Sequence, residues 1–398
     1  MKSITALALA ITLATGMTGC VTPPTPSQAG AGWAGTWGAS PTIPITGSKG
    51  YENQTLRQVV RLSQGGQSFR IRFTNEYGDK PLNIGAATLA LAGPDGKLLG
   101  TPIVVSFSGQ TSTIIPTGAP LLSDPIRLDA KALDSLSISL FLPMATGPCT
   151  CHFAGTATTW ISSPGDFTRT SFEAKETSTS RAFISAVEVE TVSPRTIVTF
   201  GDSITDGTAS TNNANRRWPD VLADRLVAAG QATAISNQAI AGNRVLTQQA
   251  AIFGANALAR FDRDISSVPN AKWLIVLEGV NDIGAGGASP PSADQIIAGY
   301  RQLVARSHAR GIKVYFATVL PYEGARYFLD VGEAVRGQVN TWIRTSGEPD
   351  GVIDFDAAMK DPANPRKMKA ELQSGDWLHP NDAGYKVMGE AIDLALFK

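Results

Sequence analysis

The chain has 398 residues, with 34 Lys+Arg against 34 Asp+Glu, 43% hydrophobic and 17% charged residues. Its length predicts two domains and a large core, and a formal net charge of zero supplies no basic field for nucleic acid. Three cysteines and three histidines without finger spacing or a His-Glu-x-x-His helix argue against a zinc centre of the usual kind.

The chain opens with Lys2, an apolar run from Ile4 to Ala14, and Gly16-Met17-Thr18-Gly19-Cys20. That layout predicts an export signal over residues 1–19, too short to span a membrane. Gly19-Cys20 resembles the lipobox of bacterial lipoproteins, with Met17 where that motif usually has Leu. The resemblance implies that Cys20 becomes a lipidated N-terminus and that the protein is a periplasmic or cell-envelope lipoprotein, in the outer membrane or extracellular. Cleavage near Ser27-Gln28-Ala29 is the alternative. Residues 20–31, rich in Pro, Thr, Ser and Gly, read as a flexible tether. Export puts Cys149 and Cys151 in an oxidising compartment, where a short-ring disulfide and two buried thiols both remain open.

Over residues 32–192 the hydrophobic period is two. Phe69, Ile71 and Phe73 alternate with arginines, and Leu136, Ile138, Leu140 and Leu142 alternate with Ser137, Ser139 and Phe141. These are strands, and no helical pattern interrupts them, so an all-β sandwich of jelly-roll type is the economical fold. Gln64-Gly65-Gly66-Gln67 and Gly93-Pro94-Asp95-Gly96 read as hairpin turns.

From 195 to 398 the pattern becomes βα. Short apolar runs at Thr196 to Phe200, Thr233 to Asn237, Lys272 to Leu277, Lys313 to Leu320 and Gly351 to Phe355 suit strands buried on both faces of a parallel sheet. Helical faces separate them: Trp218 to Ala229, Ile296 to Ser307 and Val331 to Trp342. The expected fold is a three-layer, doubly wound α/β domain with a five-stranded flavodoxin-like sheet, whose ligands bind beyond the carboxyl ends of the strands.

Those ends carry Gly201-Asp202-Ser203 after the first strand, Ala241-Gly242-Asn243 after the second, Gly279-Val280-Asn281-Asp282 after the third, and Asp376-Trp377-Leu378-His379 after the fifth. Each block alone has an ordinary explanation in a turn, a helix cap or a solvated loop. Thr205 two residues after the serine rules out the nucleophile elbow of α/β-hydrolases. In this order the blocks resemble the SGNH hydrolases, the GDSL esterase and lipase family. Together with the β domain and the Trp33-Ala34-Gly35-Thr36-Trp37 stretch, they are similar to its acetylxylan-esterase-like secreted subgroup. The resemblance implies catalysis by Ser203, His379 and Asp376, an oxyanion hole from Ser203, Gly242 and Asn281, and no metal or organic cofactor.

The chemistry agrees. A serine hydroxyl needs a base within roughly 2.6–3.2 Å, imidazole can take and return its proton near neutrality, and a carboxylate can hold the tautomer. His379 is the candidate base, because His308 falls on a helix and His152 in the β domain. Glycine admits close backbone approach and an asparagine amide donates without charge. Asp202 reads as structural, bonding turn amides. Residues 284–291 are expected to border the pocket, and Pro380 with Asn381-Asp382 starts the last helix. The expected function is a secreted serine esterase acting on O-acyl, chiefly O-acetyl, groups of polysaccharide. The alternatives are a lipase or arylesterase for longer or aromatic chains, and a carbohydrate-binding protein with an inactive hydrolase domain. Partners are then the ester substrate and, through Cys20 alone, a membrane. The β domain is expected to pack on the catalytic half, Thr150 and His152 included, with their loop at the active-site rim as the alternative.

Overall fold

The computed structural model describes residues 30–398 apart from 46 and 249, so the segment expected to be an export signal, Cys20 and nearly all of the expected tether lie outside the described residues. Residues 31–192 form two main antiparallel sheets. One runs, in spatial order, Ala31–Gly38, Ile184–Val192, Gly66–Thr74 and Pro120–Leu122, with Ile126–Ala130 also paired to Gly66–Thr74. The other runs Glu176–Ser178, Thr159–Pro164, Gln54–Arg61, Ser135–Leu142, Ala86–Ala92 and Leu98–Val104.

The period-two rows face inward as expected. Phe69, Ile71, Phe73, Leu136, Ile138, Leu140 and Leu142 are all fully buried, each worth about 1.5–3 kcal/mol over exposure. Ser137 and Ser139 are buried as well. Residues 167–172 cover that face: the Arg57 Nε donates to Ser139 Oγ at 2.9 Å, its Nη2 donates to the Phe167 and Thr170 carbonyls, and its guanidinium lies 4.7 Å from the Phe172 ring centre.

Gly93–Gly96 does join two paired strands, Ala86–Ala92 and Leu98–Val104. Gln64–Gln67 does not make a hairpin. Gln54–Arg61 and Gly66–Thr74 belong to different sheets, so the chain crosses the sandwich there. A glycine turn signals reversal of the chain but not whether the next strand pairs with the last. Cys149 and Cys151 are bonded to each other.

Residues 195–398 are built on a parallel sheet ordered Ala234–Asn237, Thr196–Gly201, Ala271–Leu277, Lys313–Ala317, Gly351–Ile353. Thr196–Gly201 is buried at every position, as a central strand covered on both faces must be. Helices Trp218–Ala228, Ala293–His308 and Asp330–Thr345 supply the crossovers. The last helix, Asp382–Ala391, starts where Asn381 accepts from the Gly384 amide at 3.0 Å.

The two halves are joined by buried polar contacts. The Ile235 amide donates to Ser63 Oγ at 2.7 Å, Ser40 Oγ to Gln238 Oε1 at 2.7 Å, and the Gly35 amide to Thr196 Oγ1 at 3.0 Å. Strand Ala31–Gly38 thus backs onto Ala234–Asn237, the edge strand that leads into the Gly242 loop.

Candidate active site

Strand Thr196–Gly201 ends in a tight turn into the short helix Ser203–Asp206. Asp202 caps it, its Oδ1 accepting from the Ile204 amide at 2.9 Å, as expected of a structural carboxylate. Burial first, then the charges of Asp282 and Asp206, push the Asp202 carboxyl up to about 7, against the opposing Ile204 bond. Ser203 is the first helical residue, so its own N–H has no partner within the helix and is available to a ligand.

Ser203, His379 and Asp376 meet across a sequence gap of 176 residues. Ser203 Oγ lies 2.8 Å from His379 Nε2, and His379 Nδ1 lies 2.6 Å from Asp376 Oδ2. The other Asp376 oxygen accepts from the amides of Leu378 and His379 at 2.9 and 2.8 Å and from Ser374 Oγ at 3.0 Å. Although burial raises its pKa, the bonds from the His379 amide, the imidazole and the Leu378 amide outweigh this and hold Asp376 at about 2. A fixed carboxylate at Nδ1 keeps the proton on that nitrogen, which leaves Nε2 as an acceptor for the Ser203 hydroxyl. Ser203 is 6% exposed and the Asp376 side chain 49%, so the serine sits at the floor of the site and the aspartate at its rim.

Gly242 occupies the third position of a turn closed by the Asn243 amide donating to the Ile240 carbonyl at 3.0 Å. Its φ is +77°, the value that a type II turn demands and glycine supplies. A Cβ there would lie 2.2 Å from Phe253 Cδ1. The loop is pinned from below. Asn243 Nδ2 donates to the Phe253 and Ala255 carbonyls, and Asp282 accepts from the Val245 and Leu246 amides at 2.7 and 3.0 Å. Asp282 therefore braces the glycine loop rather than capping its own helix, whose N-cap is Gly279.

Asn281 is oriented by two partners. Its Oδ1 accepts from Tyr327 OH at 3.3 Å and its Nδ2 donates to the Asn243 carbonyl at 3.1 Å. One N–H of the amide remains for another acceptor. Gly284, in the segment expected to border the pocket, lies under the Tyr327 ring: a Cβ would come within 2.2 Å of it. That glycine lets the ring reach Asn281. His308 lies apart, its Nε2 2.7 Å from Asp350 Oδ2.

Arg260, Tyr327 and Phe253 were not singled out in the sequence. Arg260, on helix Ala257–Phe261, is fully buried beneath the blocks. Its Nε donates to Asn243 Oδ1 at 2.8 Å, its Nη2 to the Gly201 carbonyl at 3.0 Å, and its Nη1 to the Gln238 carbonyl and Asp264. Glu278 Oε2 lies 3.7 Å from it and the Phe200 ring centre 3.8 Å away. One guanidinium thereby links the ends of the first two strands to the glycine loop. Its only signal in sequence was an arginine within an apolar segment, and nothing local distinguishes that from a surface charge.

Residues 199–387 match the model of the GDSL-like Lipase/Acylhydrolase family. No curated protein matches the chain. Among solved structures, the chain is similar to a Mycobacterium smegmatis aryl esterase (16% identity over 50% of this chain and 95% of that one, TM-score 0.41). It is also similar to the acetyl xylan esterase AlAXEase (18%, 49% and 96%, 0.38) and to Est24, a carbohydrate acetylesterase from Sinorhizobium meliloti (15%, 50% and 95%, 0.39). With the family model lying over the very strand ends that carry the four blocks, residues 199–387 are a GDSL-like lipase/acylhydrolase domain of the SGNH type, and the chain is a carboxylic ester hydrolase.

Proposed function

We propose that the chain is a serine esterase removing small O-acyl groups, foremost O-acetyl, from polysaccharide, with Ser203 as nucleophile, His379 as general base and Asp376 as its orienter. The observation that carries the reading is the 2.8 Å contact from Ser203 Oγ to His379 Nε2, with Asp376 behind it at 2.6 Å. Ser203 attacks the ester carbonyl as His379 takes its proton. The resulting imidazolium protonates the departing alcohol oxygen, and water, activated by the same imidazole, cleaves the acyl-enzyme. The amides of Ser203 and Gly242 and the remaining N–H of Asn281 meet the oxyanion, each such donor being worth about 2.7–4 kcal/mol in the transition state.

A small acyl group is favoured by the side chains around those donors, since Phe253 stands against Gly242 and Tyr327 against Asn281. The acetylesterases among the similar structures are named for acetyl xylan and carbohydrate, which fits a polymer substrate. Export and a lipid on Cys20 are part of the proposal. They are supported by the apolar leader and the Gly19-Cys20 pair, and by a disulfide suited to an oxidising compartment.

Steady-state hydrolysis of p-nitrophenyl esters of rising chain length and of acetylated xylan tests the reading, with wild type against Ser203→Ala. Turnover should fall with chain length, acetate should be released from xylan, and both should vanish in the variant. Undiminished turnover by Ser203→Ala removes the serine, and a preference for long chains removes the acetyl assignment. Mass analysis of the exported N-terminus tests the lipid on Cys20.

A further inference from the structure

One buried contact between the β domain and the catalytic half falls on the nucleophile helix. His152 stands on the short strand Cys151–His152, paired with Arg181–Ala182. Its Nε2 lies 2.9 Å from Asp206 Oδ1, on the last residue of the nucleophile helix, and its Nδ1 lies 3.0 Å from the Ser40 carbonyl. The second Asp206 oxygen accepts from the Ala241 amide at 3.0 Å. Ala241 is the residue immediately before Gly242.

A backbone carbonyl can only accept, so Nδ1 carries a proton. A neutral ring would then need a protonated Asp206 to donate to Nε2, and the upward shift of His152 beside Asp206 places that proton on the ring instead, giving an imidazolium beside a carboxylate. Both side chains are about 95% buried, where an unpaired charge is costly. Arg217 is the cation that opposes the imidazolium, and it is itself bound by Asp220 at 2.7 and 3.0 Å. Arg181, in register with His152, turns its Nη1 to the Thr158 carbonyl at 3.4 Å. Burial lowers the proton affinity of His152, but the Asp206 charge and bond and the Ser40 carbonyl outweigh it, so the shift is upward.

We propose that His152 is a positioning residue for the ester-hydrolysing site: a doubly donating imidazolium of the β domain that fixes Asp206 and, through it, the Ala241–Gly242 segment against the nucleophile helix. The β domain is on this account part of the oxyanion machinery as well as a packing partner. The inference rests on the esterase reading for its kinetic arm and on geometry alone for its spectroscopic one.

The test compares His152→Gln, which keeps a donor near the Nε2 position, with His152→Asn, which keeps one near Nδ1 only. For p-nitrophenyl acetate, kcat per folded molecule should fall about 10- to 100-fold in His152→Asn with KM within about threefold, as a displaced donor should make it. His152→Gln should recover most of the loss. Equal kcat per folded molecule in wild type and His152→Asn overturns the proposal, as does an equal fall of that quantity in both variants. An inactive wild type would instead sink the esterase reading.

A second measurement needs no variant. With three histidines in the sequence, ¹⁵N-histidine labelling resolves each ring. His152 should show the imidazolium signature, both nitrogens protonated, at about pH 6.5, where a free imidazole is half neutral. A His152 ring that is neutral at about pH 6.5 overturns the inference whatever the kinetics.

Discussion

Replacing Gly242 with alanine isolates the contribution of one amide donor. At φ +77° a non-glycine residue costs about 1–2 kcal/mol in the left-handed region. The new Cβ would also lie 2.2, 2.6 and 2.8 Å from Phe253 Cδ1, Cε1 and Cγ. Cγ sits close to the main chain, so turning the ring tip aside does not relieve the overlap. The Phe253 carbonyl is itself tethered by Asn243 at 2.7 Å. The glycine loop has to move, and its amide with it. If the donor is lost, about 2.7–4 kcal/mol of transition-state stabilisation goes, which is about 10²–10³ in kcat. Substrate affinity is largely spared, because the interaction forms as the carbonyl becomes an oxyanion. Stopped assays with p-nitrophenyl acetate should show that split. Adding Phe253→Ala removes the overlap but not the φ strain, so the double variant should regain at least about tenfold. A Gly242→Ala enzyme with kcat within about threefold of wild type would refute the reasoning.

Further predictions follow the same chains of contact. Asp376→Asn should reduce kcat by on the order of 10⁴-fold with little change in KM: an amide facing Nδ1 puts the ring proton on Nε2, where it cannot accept from Ser203. Arg260→Lys should cost about 3–5 kcal/mol of stability by thermal unfolding, since three ammonium donors cannot serve the acceptors that the buried guanidinium reaches; a melting temperature equal to wild type would contradict the hub. For Asp202, whose folded pKa is raised from 3.8 to about 7, the folded state binds the proton more tightly. Its contribution to stability is fully present below about pH 4 and is lost as pH rises toward 7. Asp202→Asn should therefore gain on wild type in melting temperature across that window, and a constant difference from pH 4 to pH 7 would oppose it.

The parallel sheet was legible because a strand such as Thr196–Gly201, covered on both faces, carries apolar side chains on both, here Ile197, Val198 and Phe200. Phe69 to Phe73 were legible for the complementary reason, one face in and one face out. The four blocks could be ordered along the chain because each follows a strand, and a doubly wound sheet brings strand ends together. What stayed hidden depends on contacts between distant segments. Nothing near Asp206 in sequence announces His152, 54 residues earlier, and nothing near Asn281 announces Tyr327. The crossing at Gln64–Gln67 was misread because a turn specifies local geometry, whereas the choice of partner strand is made by the whole sandwich. Ser139 is buried beside Arg57, whose guanidinium is held by the Phe167 and Thr170 carbonyls, a cover that alternation along one strand does not announce.

The most direct measurement is covalent. A fluorophosphonate probe should label the protein once, at Ser203 by peptide mapping, with labelling slowed in His379→Ala and abolished in Ser203→Ala. Labelling at another residue, or ester turnover that persists while Ser203 stays unmodified, would contradict the assignment of Ser203 as nucleophile.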